Sequence, residues 1–153
     1  MRSLVKNPTP SVDQVDTSYL ETLIGYNARR AALAVIAQFL ERMAIYDLKP
    51  VDFSVMSVVV HNPGVTSRQL CAALNILPPN LVGLVQSLES RGLLERLPHP
   101  HDGRAMGLHP TDKGLELMEK AEATASELEM NIGSKLTPTQ VQNLVTLLQK
   151  IYL

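Results

Sequence analysis

Two short helical segments joined by a proline-containing turn constrain the fold of this chain more than any other feature. Thr66 and Gln69 have the spacing of a capping box, in which each side chain bonds the other residue's backbone N–H at a helix start. The sequence ILPPN, at residues 76–80, then interrupts the helical pattern, because the residue before a proline is driven out of the helical conformation. A second helix begins at one of these prolines, runs to Arg91 and is closed by Gly92. The segment therefore predicts two helices joined by a tight turn.

A β-hairpin is predicted directly after this pair of helices. The segments LLERLP and AMGLH are short, and Pro100 and Gly103 lie in the loop between them. A helix, a capped short helix, a tight turn, a helix and a hairpin in this order form a winged helix-turn-helix, which we place at about residues 50–109. The predicted fold class is therefore mainly α with a small β-hairpin wing.

Helices with long apolar stripes flank the winged unit. The spacing becomes helical at Ser18 and predicts one long helix that ends near Tyr46. A helix from Pro50 to about His61 follows, and it should be buried because it is apolar nearly all round. The residues before position 17 are polar, contain two prolines and are interpreted as a flexible N-terminal arm.

Two further helices are predicted after the hairpin, capped by Thr111 and by Thr137. The apolar stripe of the first consists of Leu115, Met118, Ala121, Ala125, Leu128 and Ile132. The stripe of the second consists of Val141, Leu144, Val145, Leu148 and Ile151. One small domain cannot cover all of these stripes, so we expect a second copy of the chain to cover them.

The chain is accordingly divided into four parts that share one intertwined domain. They are an N-terminal arm at 1–16, a dimerisation helix at 17–48, the winged unit at 49–110 and C-terminal dimerisation helices at 111–153. A chain of 153 residues can fold in this way without disulfides, and Cys71, the single cysteine, is expected to be a buried, inert thiol.

Composition and motifs exclude several classes of function. No apolar run is long enough to span a membrane and the N-terminus lacks the apolar core of a signal peptide, which predicts a cytoplasmic protein without a membrane partner. The net charge of -1 excludes a strongly basic protein that binds nucleic acid by charge alone, so any DNA contact must be local. Since there is no glycine-rich phosphate loop or nucleophile elbow, we predict that the protein is not an enzyme and needs no cofactor.

Five segments and the terminal helix pair carry a resemblance to a known family. The segments are GYNARRA, LKPVDFSVM, PGVTSRQLCAALNI, LVQSLESRGLLERL and DGRAMGLHPTDKG. In this order, over about residues 18–152, they resemble the MarR family of bacterial transcription regulators, named for multiple antibiotic resistance. The resemblance implies an obligate homodimer whose two winged lobes bind an inverted-repeat operator in double-stranded DNA. It also implies a repressor that is released by a small phenolic or other aromatic effector.

The resemblance further implies how DNA is contacted. The fourth predicted helix would enter the major groove and the wing the adjacent minor groove, with Arg104 at the position of the inserted arginine and Asp102 at that of the acid that orients it. The chain departs from the family pattern at Gly103, where an arginine is common in the wing, and at Lys49, where a capping threonine is usual.

The fourth predicted helix departs as well, since Pro79, Val82 and Gly83 stand where Ser, Thr or Arg are frequent. Together with Gly103, this sparse face leaves alternatives open. One is a dimeric winged-helix module for protein interaction, and another is a small-molecule binder, each without specific DNA binding.

Candidate DNA contacts lie on the fourth predicted helix and around the wing. The helix turns outward Asn80, Gly83, Gln86, Ser87, Ser90 and Arg91. The wing and its flanks contribute Thr66, Ser67, Arg68, Arg96, His99, His101, Asp102 and Arg104. Asn and Gln can pair with adenine and Arg with guanine or phosphate, whereas the alternative is an ordinary solvated face. An arginine at a hairpin tip suits the narrow minor groove of A·T-rich DNA, and the alternative for Arg104 is a surface ion pair.

Histidines near the hairpin raise the question of a metal site. His99, His101 and His109 lie there, but no cysteine is close, so a closed tetrahedral site lacks ligands and we predict no metal. Histidines near DNA phosphates are the favoured interpretation. His61, at the end of the second predicted helix, is expected in the core or at an interface.

A pocket for the effector is predicted where the first and second helices meet the start of the fifth. Its candidate lining is Tyr26, Arg30, Phe39, Met43, Tyr46, Phe53 and Met56. Arg30 would pair with an acidic ligand while the other side chains enclose a ring. The alternative is that these residues are simply core.

Overall fold

The structure, a computed structural model, describes residues 15–153 apart from the side chain of Asp102 and the exposure of Gly133. It separates into a first unit that ends at Val35 and a second unit, Ile36–Leu153. The predicted N-terminal arm, 1–16, lies outside the described residues except for its last two.

Two helices replace the single long helix predicted from Ser18. They are α1 (Ser18–Glu21) and α2 (Ile24–Met43), and a 3-10 turn, Ala44–Tyr46, follows α2. The side-chain amide of Asn27 donates a hydrogen bond to the backbone carbonyl of Glu21 at 2.8 Å. In a continuous helix that carbonyl would accept from a backbone N–H four residues later. Here the Asn27 side chain takes its place where α1 ends.

The second unit contains the predicted helices and hairpin. Its elements are α3 (Pro50–His61), β1 (Val65–Thr66), α4 (Ser67–Leu74), α5 (Pro78–Ser90), β2 (Leu94–His99), β3 (Asp102–Pro110), α6 (Asp112–Ile132) and α7 (Pro138–Tyr152). The three strands form an antiparallel sheet in the order β1-β3-β2. The strand β1 was not predicted, because two residues are too few for an alternating pattern.

Local capping chemistry sets the start of α4, as predicted. The Thr66 hydroxyl accepts from the Gln69 backbone N–H at 3.3 Å, and the Gln69 side chain accepts from the Thr66 backbone N–H at 2.9 Å. Leu77 is extended, with φ -68° and ψ 138°, so the chain bends by 114° between α4 and α5. This bend lies in the range of about 90–120° that is typical of a helix-turn-helix.

The core of the second unit gathers apolar side chains from most of its elements. Its buried members are Met43, Leu48, Val55, Met56, Val59, Leu70, Leu81, Val85, Leu88, Leu93, Leu94, Leu108, Met118 and Ala121. Leu115, a member of the predicted apolar stripe of α6, is 44% exposed, whereas Leu117, outside that stripe, packs against the core. Cys71 is half-buried rather than buried.

The stripe on α7 remains exposed. Leu144, Val145, Leu148 and Ile151 are each at least 43% exposed. Four large apolar side chains on one helix face are costly to leave in water, which favours the predicted cover by a second copy.

Within residues 15–153 no single helix is both long and apolar enough to cross a bilayer, and only the bent pair of α4 and α5 passes such a test by length and composition.

Candidate nucleic-acid interface

The outer face of α5 is polar and exposed, as predicted for the fourth helix. Leu81, Val85 and Leu88 are buried on the opposite face and fix the rotation of the helix about its axis. The exposed residues of α5 are Pro78, Pro79, Asn80, Val82, Gly83, Gln86, Ser87 and Ser90. Five of the six predicted residues of this helix are therefore available to a ligand. Three exposed apolar residues, Pro78, Pro79 and Val82, lie beside them.

Arg91 is the exception, because it is half-buried and its guanidinium makes contacts within the protein. Its guanidinium donates a hydrogen bond to the backbone carbonyl of Tyr46 at 3.0 Å and lies 3.9 Å from a carboxylate oxygen of Asp47. Only 26% of its side chain is exposed. The long side chain folds back beneath the end of α5 because a free carbonyl at the 3-10 turn accepts it.

Replacing Arg91 with alanine is expected to lower the free energy of unfolding by about 1–2 kcal/mol, since the Tyr46 carbonyl loses a charged donor. Arg68 is a matched control, because it is exposed on α4 and makes no ion pair within residues 15–153. Urea unfolding at one protein concentration measures both variants. If Arg91→Ala is as stable as Arg68→Ala, the contact with Tyr46 does not contribute to the fold.

Hydrogen bonds join the end of α5 to the start of α6, and we call this contact the α5–α6 junction. The Thr111 hydroxyl donates to the Gly92 carbonyl at 2.6 Å, and the Lys113 ammonium donates to the Arg91 carbonyl at 2.7 Å. The Gly114 backbone N–H donates to the Thr111 hydroxyl at 3.0 Å. The segment Thr111–Gly114, predicted only as a helix start, thus also satisfies the free carbonyls at the end of α5.

Gly114 is buried at the α5–α6 junction. A Cβ at this position would overlap the Leu93 carbonyl oxygen and lie 3.2 Å from the terminal methyl of Met56. The backbone of α6 approaches the turn after α5 this closely only because residue 114 has no side chain.

The flanks of the wing are partly committed to contacts within the protein. The Nε of Arg96 donates to Glu89 at 2.9 Å, and the Thr66 hydroxyl is used in the cap of α4. Ser67 and Arg68 are exposed at the start of α4. Of these four predicted residues, Ser67 and Arg68 are therefore available to a ligand.

The wing is formed by β2 and β3, with a register shift between Pro98 and His99. Arg104 is exposed on β3. The side chain of Asp102 lies outside what the structure describes, so its predicted role in orienting Arg104 stays a prediction. A Cβ at Gly103 would have no heavy atom within 4 Å, so neither packing nor a left-handed backbone requires glycine there.

The histidines near the wing do not come together. The rings of His99 and His101 have centroids 6.1 Å apart, and the His101 backbone N–H donates to His99 Nδ1 at 3.3 Å. His99 lies opposite Asp102, whereas His109 lies opposite Glu95, seven residues further along β3. Glu95 and His99 are four residues apart on β2, which at about 3.3 Å per residue separates the two positions by about 13 Å. Among the residues described, no three His, Cys, Asp or Glu side chains are grouped to hold a metal ion.

His61 connects two helices instead of entering the core. Its Nε2 lies 2.9 Å from a carboxylate oxygen of Glu122, and the Ser57 hydroxyl donates to the same oxygen at 2.9 Å. The side chain of His61 is 62% exposed. It therefore belongs to a contact between α3 and α6 on the surface of the unit.

Charge is distributed unevenly along the second unit. Residues 68–113 carry five cations and four anions, whereas residues 114–129 carry one cation and five anions. The one cation of α6 in that range, Lys120, donates to Glu116 at 2.8 Å, and this bond lowers the pKa of Glu116 and raises that of Lys120. A polyanion would thus be attracted to the winged region and repelled by the middle of α6.

The predicted effector residues occupy different environments. Met43 and Met56 are fully buried in the core, which supports the alternative interpretation for these two. Phe39 and Phe53 meet edge to face with centroids 5.5 Å apart, and the Tyr46 hydroxyl lies 2.9 Å from that of Thr124.

Tyr26 and Arg30 belong to the first unit, where Tyr26 is half-buried and Arg30 is exposed. The predicted pocket combines these two residues with residues of the second unit, and its formation stays a prediction.

A mainly helical chain with a helix-turn-helix and a β-hairpin wing is a winged helix-turn-helix protein. The family model of the MarR family matches residues 46–105. The transcriptional repressor CouR bound to a 23-mer DNA duplex is 33% identical, with a TM-score of 0.85 and a match that covers 90% of this chain and 98% of CouR. The chain belongs to the MarR family and is a transcription regulator of that type.

Two further relatives agree with this assignment. CouR bound to p-coumaroyl-CoA is 32% identical, with a TM-score of 0.82, and the match covers 90% of this chain and 97% of that one. A putative transcriptional regulatory protein for the hcr operon of Thauera aromatica is 25% identical over 130 residues, which are 84% of this chain and 78% of that protein. These relatives are transcription regulators and not enzymes.

Proposed function

We propose that this protein is a cytoplasmic, homodimeric repressor that binds an inverted-repeat operator and is released by a small aromatic effector. The observation that carries the proposal is the exposed polar face of α5, which is rigidly held by its buried face and followed directly by a wing with an exposed arginine. Asn80 and Gln86 offer amides to adenine edges in the major groove, and Arg104 offers a guanidinium to the minor groove. The likeness to CouR bound to duplex DNA supports the same partner.

Dimerisation is supported by the exposed apolar stripe of α7. A dimer would bury Leu144, Leu148 and Ile151 and would present two copies of α5. Two copies of one reading helix, related by two-fold symmetry, fit two half-sites of opposite orientation.

The contacts of Tyr46 supply a route from an effector to the DNA. Its hydroxyl bonds to Thr124 on α6, and its carbonyl holds Arg91 at the end of α5. An effector that moved Tyr46 would therefore disturb the contacts of α6 and of the end of α5 together. Since a ligand shifts an equilibrium only by its differential affinity for two states, this effector must bind more weakly when α5 is docked on DNA.

The effector class is proposed from the same relative. CouR has been solved with p-coumaroyl-CoA, so an aromatic acyl-CoA thioester is the first ligand to test. Coenzyme A alone and free p-coumarate are the controls, because they separate the contribution of the ring from that of the nucleotide.

Selection of duplexes from a random pool tests the DNA part of the proposal. Full-length protein should enrich an inverted repeat whose half-site centres lie about one helical turn apart or a multiple of it. A pool that shows no enriched sequence after several rounds would favour the interaction module instead. Addition of the aromatic thioester to the enriched duplex should lower the affinity, whereas coenzyme A alone should not.

A further inference from the structure

An apolar groove of about 270 Å³ lies between the first turns of α4 and α5. It is lined by Ser67, Arg68, Cys71, Pro78, Leu81 and Val82. Residues of α4 form one side of the groove, and residues of α5, among them Val82, which is 52% exposed, form the other. Cys71 in this lining is half-buried, Leu81 is buried and Pro78 is exposed. The groove therefore offers a contact to an apolar group and no buried charge.

The groove adjoins the reading face of α5. Val82 is about 100° around the helix from Leu81, which is buried, and about 100° from Gly83, which is exposed. Val82 thus borders the outer face on the side of α4. The exposed Pro79, three residues before Val82, extends the apolar surface on the same side of the helix. In a helix-turn-helix the N-terminal residues of the second helix are the ones that contact base edges.

The chemistry of the major groove limits what can fill this site. Base edges there present hydrogen-bond donors and acceptors, and the C5 methyl of thymine is the only apolar group among them. A small ligand is the less favoured occupant, because the groove is smaller than the range of about 300–1,000 Å³ that ligand pockets occupy.

We propose that the groove between α4 and α5 receives thymine methyl groups of the operator, with Val82 as the side chain that reads them and Arg68 on the adjacent phosphate. This inference rests on the proposed operator binding. It assigns sequence specificity to Val82, at a position where polar side chains are usual in the family. The protein would then prefer thymine at defined positions of each half-site, although the face of α5 has few polar side chains.

Replacement of thymine by uracil tests the inference, because uracil keeps the hydrogen-bonding edge and lacks the methyl. Each thymine of the enriched duplex is replaced in turn, and the affinity of full-length protein is measured by fluorescence anisotropy. We expect a loss of about fourfold at one position or more in each half-site, related by the two-fold axis. In Val82→Ala the same replacement should have little effect.

Ile45→Ala is the matched control variant. Ile45 is 79% exposed on the 3-10 turn and lies outside the groove, so its removal should leave the uracil penalty unchanged. Thermal unfolding of both variants checks that they fold.

The outcomes separate this inference from the proposed function. Specific binding without any uracil penalty overturns the inference and leaves operator binding intact. A penalty that persists in Val82→Ala also overturns it, because the methyl is then read elsewhere. If no duplex is bound specifically, the proposed function fails and the inference fails with it.

Discussion

Gly114→Ala is expected to lower the free energy of unfolding by about 3 kcal/mol. The added methyl overlaps the Leu93 carbonyl oxygen, and a backbone carbonyl cannot move aside as a flexible side chain can. Relief would require α6 to separate from the turn after α5, which also strains the hydrogen bonds of Thr111. Urea unfolding followed by circular dichroism at one protein concentration measures the change.

Gly83→Ala is the matched control, since it adds the same methyl to another helix glycine. No heavy atom lies within 4 Å of a Cβ at this position. Alanine should therefore raise the free energy of unfolding by about 0.5–1 kcal/mol, as expected from helix propensity. Equal stability of Gly114→Ala and the wild-type protein would contradict the close approach of α6 to Leu93.

Arg104→Ala is expected to weaken operator binding by about 10- to 100-fold, with the largest loss where A·T pairs lie under the wing. An arginine in a narrow minor groove meets concentrated negative potential, and one such contact contributes about 1–3 kcal/mol. Fluorescence anisotropy with the enriched duplex, and with a version carrying G·C pairs at the flanks, measures the loss.

Arg42→Ala controls for the change in net charge. Arg42 is exposed on α2, and its guanidinium pairs with Glu127 of α6 at 3.1 Å, away from the wing. This variant removes the same charge and should bind DNA within about twofold of wild type. Equal losses in the two variants would mean that Arg104 acts only through net charge, and the wing would have no part in recognition.

The helix-turn-helix could be predicted because its determinants are local. The cap of α4 joins Thr66 to a residue three positions away, and Leu77 is held extended by the proline that follows it. Contacts between residues far apart in the sequence could not be predicted. Arg91 is bound to a carbonyl 45 positions away, and no periodicity in α5 reveals such a partner.

The candidate site was predictable to a similar extent. The burial of Leu81, Val85 and Leu88 follows from helical spacing, so the exposed residues between them could be named from the sequence. The effector residues could not be separated from core residues, because a buried methionine and a pocket methionine have the same pattern. The groove beside Val82 escaped prediction because it requires two helices to be placed side by side.

A titration of the full-length protein against DNA from the region upstream of its own gene tests the central claim most directly. We expect the dimer to bind one duplex of that region at least about 10³-fold more tightly than a scrambled duplex of equal composition, and the affinity for both to fall as salt rises. Equal affinity for the two duplexes at every salt concentration would contradict an operator-binding repressor and leave a winged-helix module that contacts DNA through charge alone.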